Sequence, residues 1–225
     1  RDFCLSRGLG DVYKRQPVVG QSINSFATSN DGPLATNGDQ YAIGTFDNTQ
    51  SSVADAWTNY TTSTIGSAGN FDIGKGYQMG TDSGATLAFT GTIATTDQVE
   101  SVINNSLSGY RWNLVANPYP SYLYLNSAAD GTNNVISVNT AGGNQIIDSD
   151  FAAVYGWEAN GTEFVSYDNN DSAKYIAPGQ AFMIAPSSSS SVDFDFTEAM
   201  QTTIRGNDFV HNSPMTYQEI YLNLY

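Results

Sequence analysis

At 225 residues and a net charge of −14, the chain is long enough for one large β domain or two small ones. Its acidity disfavours a nucleic-acid partner, whose phosphates it would repel. Charged residues are only 13% and aromatics reach 12%, which excludes a disordered chain, and no apolar run is long enough to insert into a bilayer as a helix.

Residues 1–16 stand apart. They hold four of the eight Lys and Arg residues, two of the 22 acids and the one cysteine, Cys4. The string from Cys4 to Gln16 is similar to translated sequencing-adapter sequence, so 1–16 is set aside as an artefactual or disordered segment. The remainder has no cysteine, hence no disulfide framework, and a net charge of about −16.

From there, short β-branched and aromatic runs bounded by Gly, Asn, Asp and Pro predict strands at 17–23, 40–46, 56–61, 76–80 and 86–93. In 97–107, Asp97 and Glu100 fit a capping box and Val99, Val102, Ile103 and Leu107 one helical face, but Val99 and Ile103 also fit a strand. Further strands are predicted at 112–116, 152–158, 163–167, 180–185 and 192–197. Asn160-Gly161 and 168–171 carry turn chemistry, and the serine run 187–191 bridges two strands as a loop. The alternation over 219–225 is a strand signal that stops abruptly, so 215–225 reads as the start of a truncated strand or domain.

The chain also repeats itself. Gly74-Lys75-Gly76-Tyr77 and Leu87-Ala88-Phe89 recur 105 residues later as Gly179-Gln180-Ala181-Phe182 and Val192-Asp193-Phe194. Phe46-Asp47 corresponds to Trp157-Glu158, and Trp57-x-x-Tyr60 to Phe164-x-x-Tyr167. Such self-similarity points to a duplicated supersecondary unit. The expected fold is all-β: a mostly antiparallel β-sandwich built from two repeated four- to five-stranded units, 17–108 and 109–214, packed on a shared core. Two tandem small β-sandwiches are the alternative.

The segment Trp112-Asn113-Leu114-Val115-Ala116-Asn117-Pro118-Tyr119-Pro120-Ser121, preceded by Gly74–Tyr77 and followed by Val154–Trp157, Pro178–Met183 and Phe196-x-x-x-Met200, resembles the β-rich repeat region of large secreted and cell-surface proteins of Bacteroidota, the flavobacterial kind exported by type IX secretion. Ala116 and Ala181 stand where glycine is commoner. The resemblance implies a β-rich region of a multidomain exported protein and tilts 97–107 towards strand. It supplies no catalytic residue or ligand.

Chemistry-bearing motifs are sparse. Asn-Pro-Tyr-Pro reads as a rigid corner, where an X-Pro bond has only a small penalty against cis. Gly74-Lys75-Gly76 lacks the context of a phosphate loop, and position 75 is Gln180 in the second copy. His211 is the sole histidine, which removes multi-histidine zinc patterns; a Ser-His-Asp triad would have to use it beside Pro214, where it reads as a solvated tail residue. Asp193 with Asp195, and Glu158 with Glu163, are the acid pairs a glycosidase would need. Loops at 168–171, 130–133 and 148–150 offer calcium-type oxygen ligands, but Asx turns explain them equally, and no metal or other cofactor is assigned.

The aromatics remain. Trp57, Tyr60, Trp157 and Tyr167, with Tyr119 and Tyr122 beside the proline corner, are the candidate ligand-binding residues; a packed core would place large residues at the same repeated positions. The expected function is a non-catalytic module of an exported surface protein, structural, adhesive or glycan-contacting. A glycosidase-like carbohydrate-active enzyme is the alternative. Expected partners are polysaccharide or other cell-surface components and neighbouring domains of the same parent chain, and the expected location is extracellular or on the outer cell surface.

Overall fold

The computed structural model of the chain describes residues 12–14, 18–82, 85–141, 145–157 and 164–204. The first half contains β1 (Val12–Lys14), β2 (Val18–Val19), β3 (Thr36–Asn37), β4 (Gln40–Phe46), β5 (Trp57–Thr61), β6 (Tyr77–Met79), β7 (Thr92–Ile93) and β8 (Gln98–Val102). The second contains β9 (Asn113–Ala116), β10 (Tyr122–Tyr124), β11 (Val154–Trp157), β12 (Phe164–Tyr167), β13 (Tyr175–Ile176), β14 (Ala181–Ile184), β15 (Val192–Phe196) and β16 (Gln201–Thr202). Three short helices accompany them: α1 (Ile23–Ser29), α2 (Val53–Ala56) and α3 (Val135–Val138). All strand pairings between these elements are antiparallel. The fold is all-β and sandwich-like, and none of the described helices is long and apolar enough to cross a membrane.

Several local expectations are revised. The strand predicted over 17–23 is only β2, after which Ser22 starts α1: its hydroxyl accepts the Ser25 amide at 3.0 Å, a capping bond that outweighs the apolar run. Of 86–93 only Thr92 and Ile93 are strand. Of the ambiguous 97–107 segment, 98–102 form β8, paired along its length with β15, and 103–107 are turn and irregular. Within the segment set apart above, Val12–Lys14 pairs with β6, Tyr13 opposite Gln78.

The repeat is visible in the pairing. Phe46 faces Trp57 across β4 and β5, as Trp157 faces Phe164 across β11 and β12. Gly44 faces Gln78 between β4 and β6, as Tyr155 faces Met183 between β11 and β14. Bridges Leu34–Thr81 and Ile147–Pro186 close the two units alike. Each unit also has a helix whose C-cap asparagine grips its closing segment. Asn30 Nδ2 donates to the Ala88 carbonyl and Asn30 Oδ1 accepts its amide, at 2.9 and 2.7 Å. Asn139 grips the Asp195 carbonyl and amide in the same way, at 3.0 and 2.8 Å.

The units meet on β9. On one edge it pairs with β14, Phe182 opposite Val115. On the other, the Gly76 amide donates to the Leu114 carbonyl at 2.9 Å and the Ala116 amide to the Gly74 carbonyl at 2.7 Å. The two glycine–aromatic motifs therefore flank one strand. Gly74 and Gly179 share a positive φ, +85° and +67°, which explains why both copies keep glycine there. A side chain at Gly76 would meet Leu114 Cγ at 2.5 Å, so the close strand approach requires its absence.

The core is divided. One cluster fills the first unit around Ile23, Phe26, Ile43 and Tyr77. A larger one fills the second around Val115, Leu123, Phe182, Phe194 and Phe196 and takes in Ala94 and Val102 from the first half. A third lies between the units, made of Leu114, Ala116, Ala181 and Met183. The single shared core is thus replaced by two unit cores and a junction.

At the proline corner all peptide bonds are trans. Asn117 holds the turn: its Nδ2 lies 2.8 Å from the Ser121 carbonyl and its Oδ1 accepts the Tyr119 amide at 2.9 Å.

Candidate functional site

The register of the β12-β11-β14-β9 sheet sorts its side chains onto two faces. Val154, Phe182, Ile184 and Val115 point into the second core. Leu114, Ala116, Ala181 and Met183 form the other face, covered by Trp112 and Tyr155 from the second half and by Phe46 and Trp57 from the first. All four covering rings are half-buried. Phe46 and Trp57 pack edge-on at 5.0 Å, Trp112 and Tyr155 at 4.8 Å, and Trp112 and Phe151 at 5.8 Å. The Arg111 guanidinium lies 4.3 Å over Phe151 and 3.4 Å from the Asp148 carboxylate. At the outer edge of the same sheet Phe164 is 47% exposed. Aromatic rings from both units thus form one band across the junction.

Beside the band lies a cleft of about 380 Å³, lined by Phe46, Asp47, Lys75, Glu100, Trp112 and Asn113 among others. An asparagine network fixes its floor. Asn48 and Asn113 both donate to the Ile103 carbonyl at 2.9 Å, and Asn105 donates to Asn48 Oδ1 at 2.8 Å. Asp47 accepts from Gln50 Nε2 at 2.8 Å and from the Thr49 hydroxyl and amide at 2.7 and 2.9 Å. Those bonds, Gln50's first, hold its carboxyl below the usual range. Lys75 Nζ lies 3.5 Å from Asp72 Oδ2.

Of the sequence candidates, Trp57 belongs to the band. Tyr60 is half-buried against the first core, and burial followed by Asp72 pushes its hydroxyl pKa up. Tyr119 is fully buried rather than exposed: its hydroxyl donates towards the Phe196 carbonyl at 2.7 Å and lies 3.0 Å from that of Thr96. Tyr122 is half-buried on β10. Tyr167 packs on the second core with Lys174 Nζ 4.6 Å from its ring centre. The side chain of Trp157 lies outside the described residues, as do Glu158, Asn160, Gly161, Glu163 and His211.

Trp112, Tyr155, Phe151 and Tyr110, whose ring lies 6.3 Å from that of Phe46, are not among the candidates the repeat marks. The i, i+2 spacing of Trp112, Leu114 and Ala116 was the available signal, since it puts them on one strand face. Asp193 and Asp195 sit on the outward face of β15, opposite Ser101 and Val99, and neither lines the cleft. Burial first, then Asp193 and Asp97, raises the Asp195 pKa. In the oxygen-rich loops Asp130 Oδ1 takes the Thr132 and Asn133 amides, Asp148 Oδ1 the Asp150 amide and Asp168 Oδ1 the Asn170 amide. These are Asx turns. Among the described residues no three His, Cys, Asp or Glu side chains converge as metal ligands.

The chain matches no protein-family model, and comparisons with curated proteins and with solved structures return no match.

Proposed function

We propose that the chain is a non-catalytic module of an exported surface protein that contacts glycans through its junction band. The observation that carries this reading is the band itself: half-buried Phe46, Trp57, Trp112 and Tyr155 lying over one sheet face and running into a polar cleft. Aromatic faces suit the C–H faces of sugar rings, while amide, carboxylate and ammonium groups suit their hydroxyls. The exported location rests on the composition and on the resemblance of the 112–121 segment.

Affinity gel electrophoresis of the intact chain against a panel of polysaccharides tests it. At least one polymer should retard migration, and Trp112→Ala should weaken that retention roughly tenfold, equivalent to about 1.4 kcal/mol, with an unchanged far-UV spectrum. Absence of retention on every polymer would remove the glycan role and leave a structural one.

A second reading has one observation in its favour: Asp47 and Glu100 line the same cleft, as the two acids of a glycosidase would. Release of reducing ends from any retained polymer, abolished by Glu100→Gln, would replace binding with hydrolysis.

A further inference from the structure

We infer that the junction cleft takes neutral glycans and excludes those bearing uronate or sulfate groups. This rests on the glycan reading above and adds a charge selectivity to it. The carboxylates of Asp47 and Glu100 and one ammonium, that of Lys75, line the cleft. The ammonium already has a partner in Asp72 at 3.5 Å. An anionic sugar entering here would compete with Asp72 for Lys75 and lie close to two acidic residues, Asp47 and Glu100. It would also approach through the field of a chain with net charge −14, which lowers the local concentration of anions.

Neutral sugars meet none of these costs. Their hydroxyls donate to the carboxylate oxygens and accept from Asn113 or Lys75, and these bonds form without bringing like charges together. The surroundings of Glu100 are set by the backbone: a Cβ on Gly74 would come within 2.8 Å of Glu100 Cβ, so the two segments are in close contact. Glu100→Gln keeps the shape of the side chain and removes the charge.

The test compares four embedded polymers at physiological ionic strength: a neutral β-glucan, a neutral galactomannan, alginate and a sulfated galactan. The intact chain should be retarded more strongly by a neutral polymer than by either acidic one. Glu100→Gln should increase retention on alginate about two- to fivefold, the scale of one partly exposed charge interaction. Alginate or the sulfated galactan retarding the parent as strongly as a neutral polymer would overturn the selectivity while leaving glycan binding standing. Retention on none of the four, with binding to none in the wider panel, would remove both. Light scattering is the last control: a concentration-dependent dimer abolished by Trp112→Ala would mean that a second copy, and not a sugar, covers the band.

Discussion

Single residues in this chain are placed by what their polar atoms can reach. In the sequence Tyr119 reads as a candidate ligand contact beside the proline corner. In the fold its ring has no exposure and its hydroxyl lies between two carbonyls, and burial pushes its pKa far above the usual phenol range. Tyr119→Phe should cost about 1–3 kcal/mol, the penalty for stranding the buried Phe196 carbonyl, read as a lower urea midpoint at unchanged slope; a loss below about 0.5 kcal/mol (near the uncertainty of such data) would mean water replaces the hydroxyl. Asp195 works in the opposite direction. Its carboxyl pKa is raised, so the folded state penalises the charged form, and that cost is present at neutral pH and disappears as pH falls through the folded-state pKa. Asp195→Asn removes the charge but keeps the Asn139 clamp, which binds the backbone of residue 195. The variant should be more stable at pH 7 by up to about 0.5 kcal/mol and match the parent near pH 3. A gain that persists in acid would assign the effect to packing.

At the scale of elements, the duplication decides more than local propensity. The hairpins β4–β5 and β11–β12 were legible because their aromatic pairs recur, and β8 because the resemblance tilted an ambiguous pattern. The helices α1 and α3 were not, since each is set by a capping side chain, Ser22 or Asn134, in front of residues that read equally well as strand. The closing segments hid a shift: the constant offset of 105 aligns Ala88 with Asp193, whereas the asparagine clamps align Ala88 with Asp195. Ungapped comparison cannot see a two-residue slip that preserves the strand face. The site was legible only in part for a related reason. Trp57 stood out through repetition, while Trp112 and Tyr155 act by covering a junction that forms only when both units pair with β9. If the clamps are equivalent, Asn30→Ala and Asn139→Ala should each cost about 0.5–1.5 kcal/mol, because each removes hydrogen bonds to a part-buried backbone amide and carbonyl. Denaturation of the two variants checks this, and a clear loss in one with none in the other would show that the clamps differ in role.

The whole molecule is held by apolar clusters and backbone pairing under a surface that repels itself. Among the described residues, Lys75 pairs with Asp72 and Arg111 with Asp148, both pairs partly exposed to solvent, and such pairs contribute about 0–1 kcal/mol each. Against them stands a net charge of −14, whose mutual repulsion is relieved when the chain expands. Salt acts on both terms, but the Debye length falls from about 30 Å at 0.01 M to about 3 Å at 1 M, and with 22 acids against 8 Lys and Arg it screens more repulsions than attractions. Raising sodium chloride from 10 mM to 500 mM should therefore raise the thermal midpoint, with most of the rise complete near 150 mM, where the Debye length is already about 8 Å. The same series with sodium sulfate at matched ionic strength separates screening from surface exclusion, which adds stability only in sulfate. A midpoint that falls with sodium chloride would show that the two ion pairs, or the carboxylates around Lys75, hold the junction more strongly than their exposure implies. In that case Lys75→Gln, the residue found at the equivalent position 180, should abolish the fall.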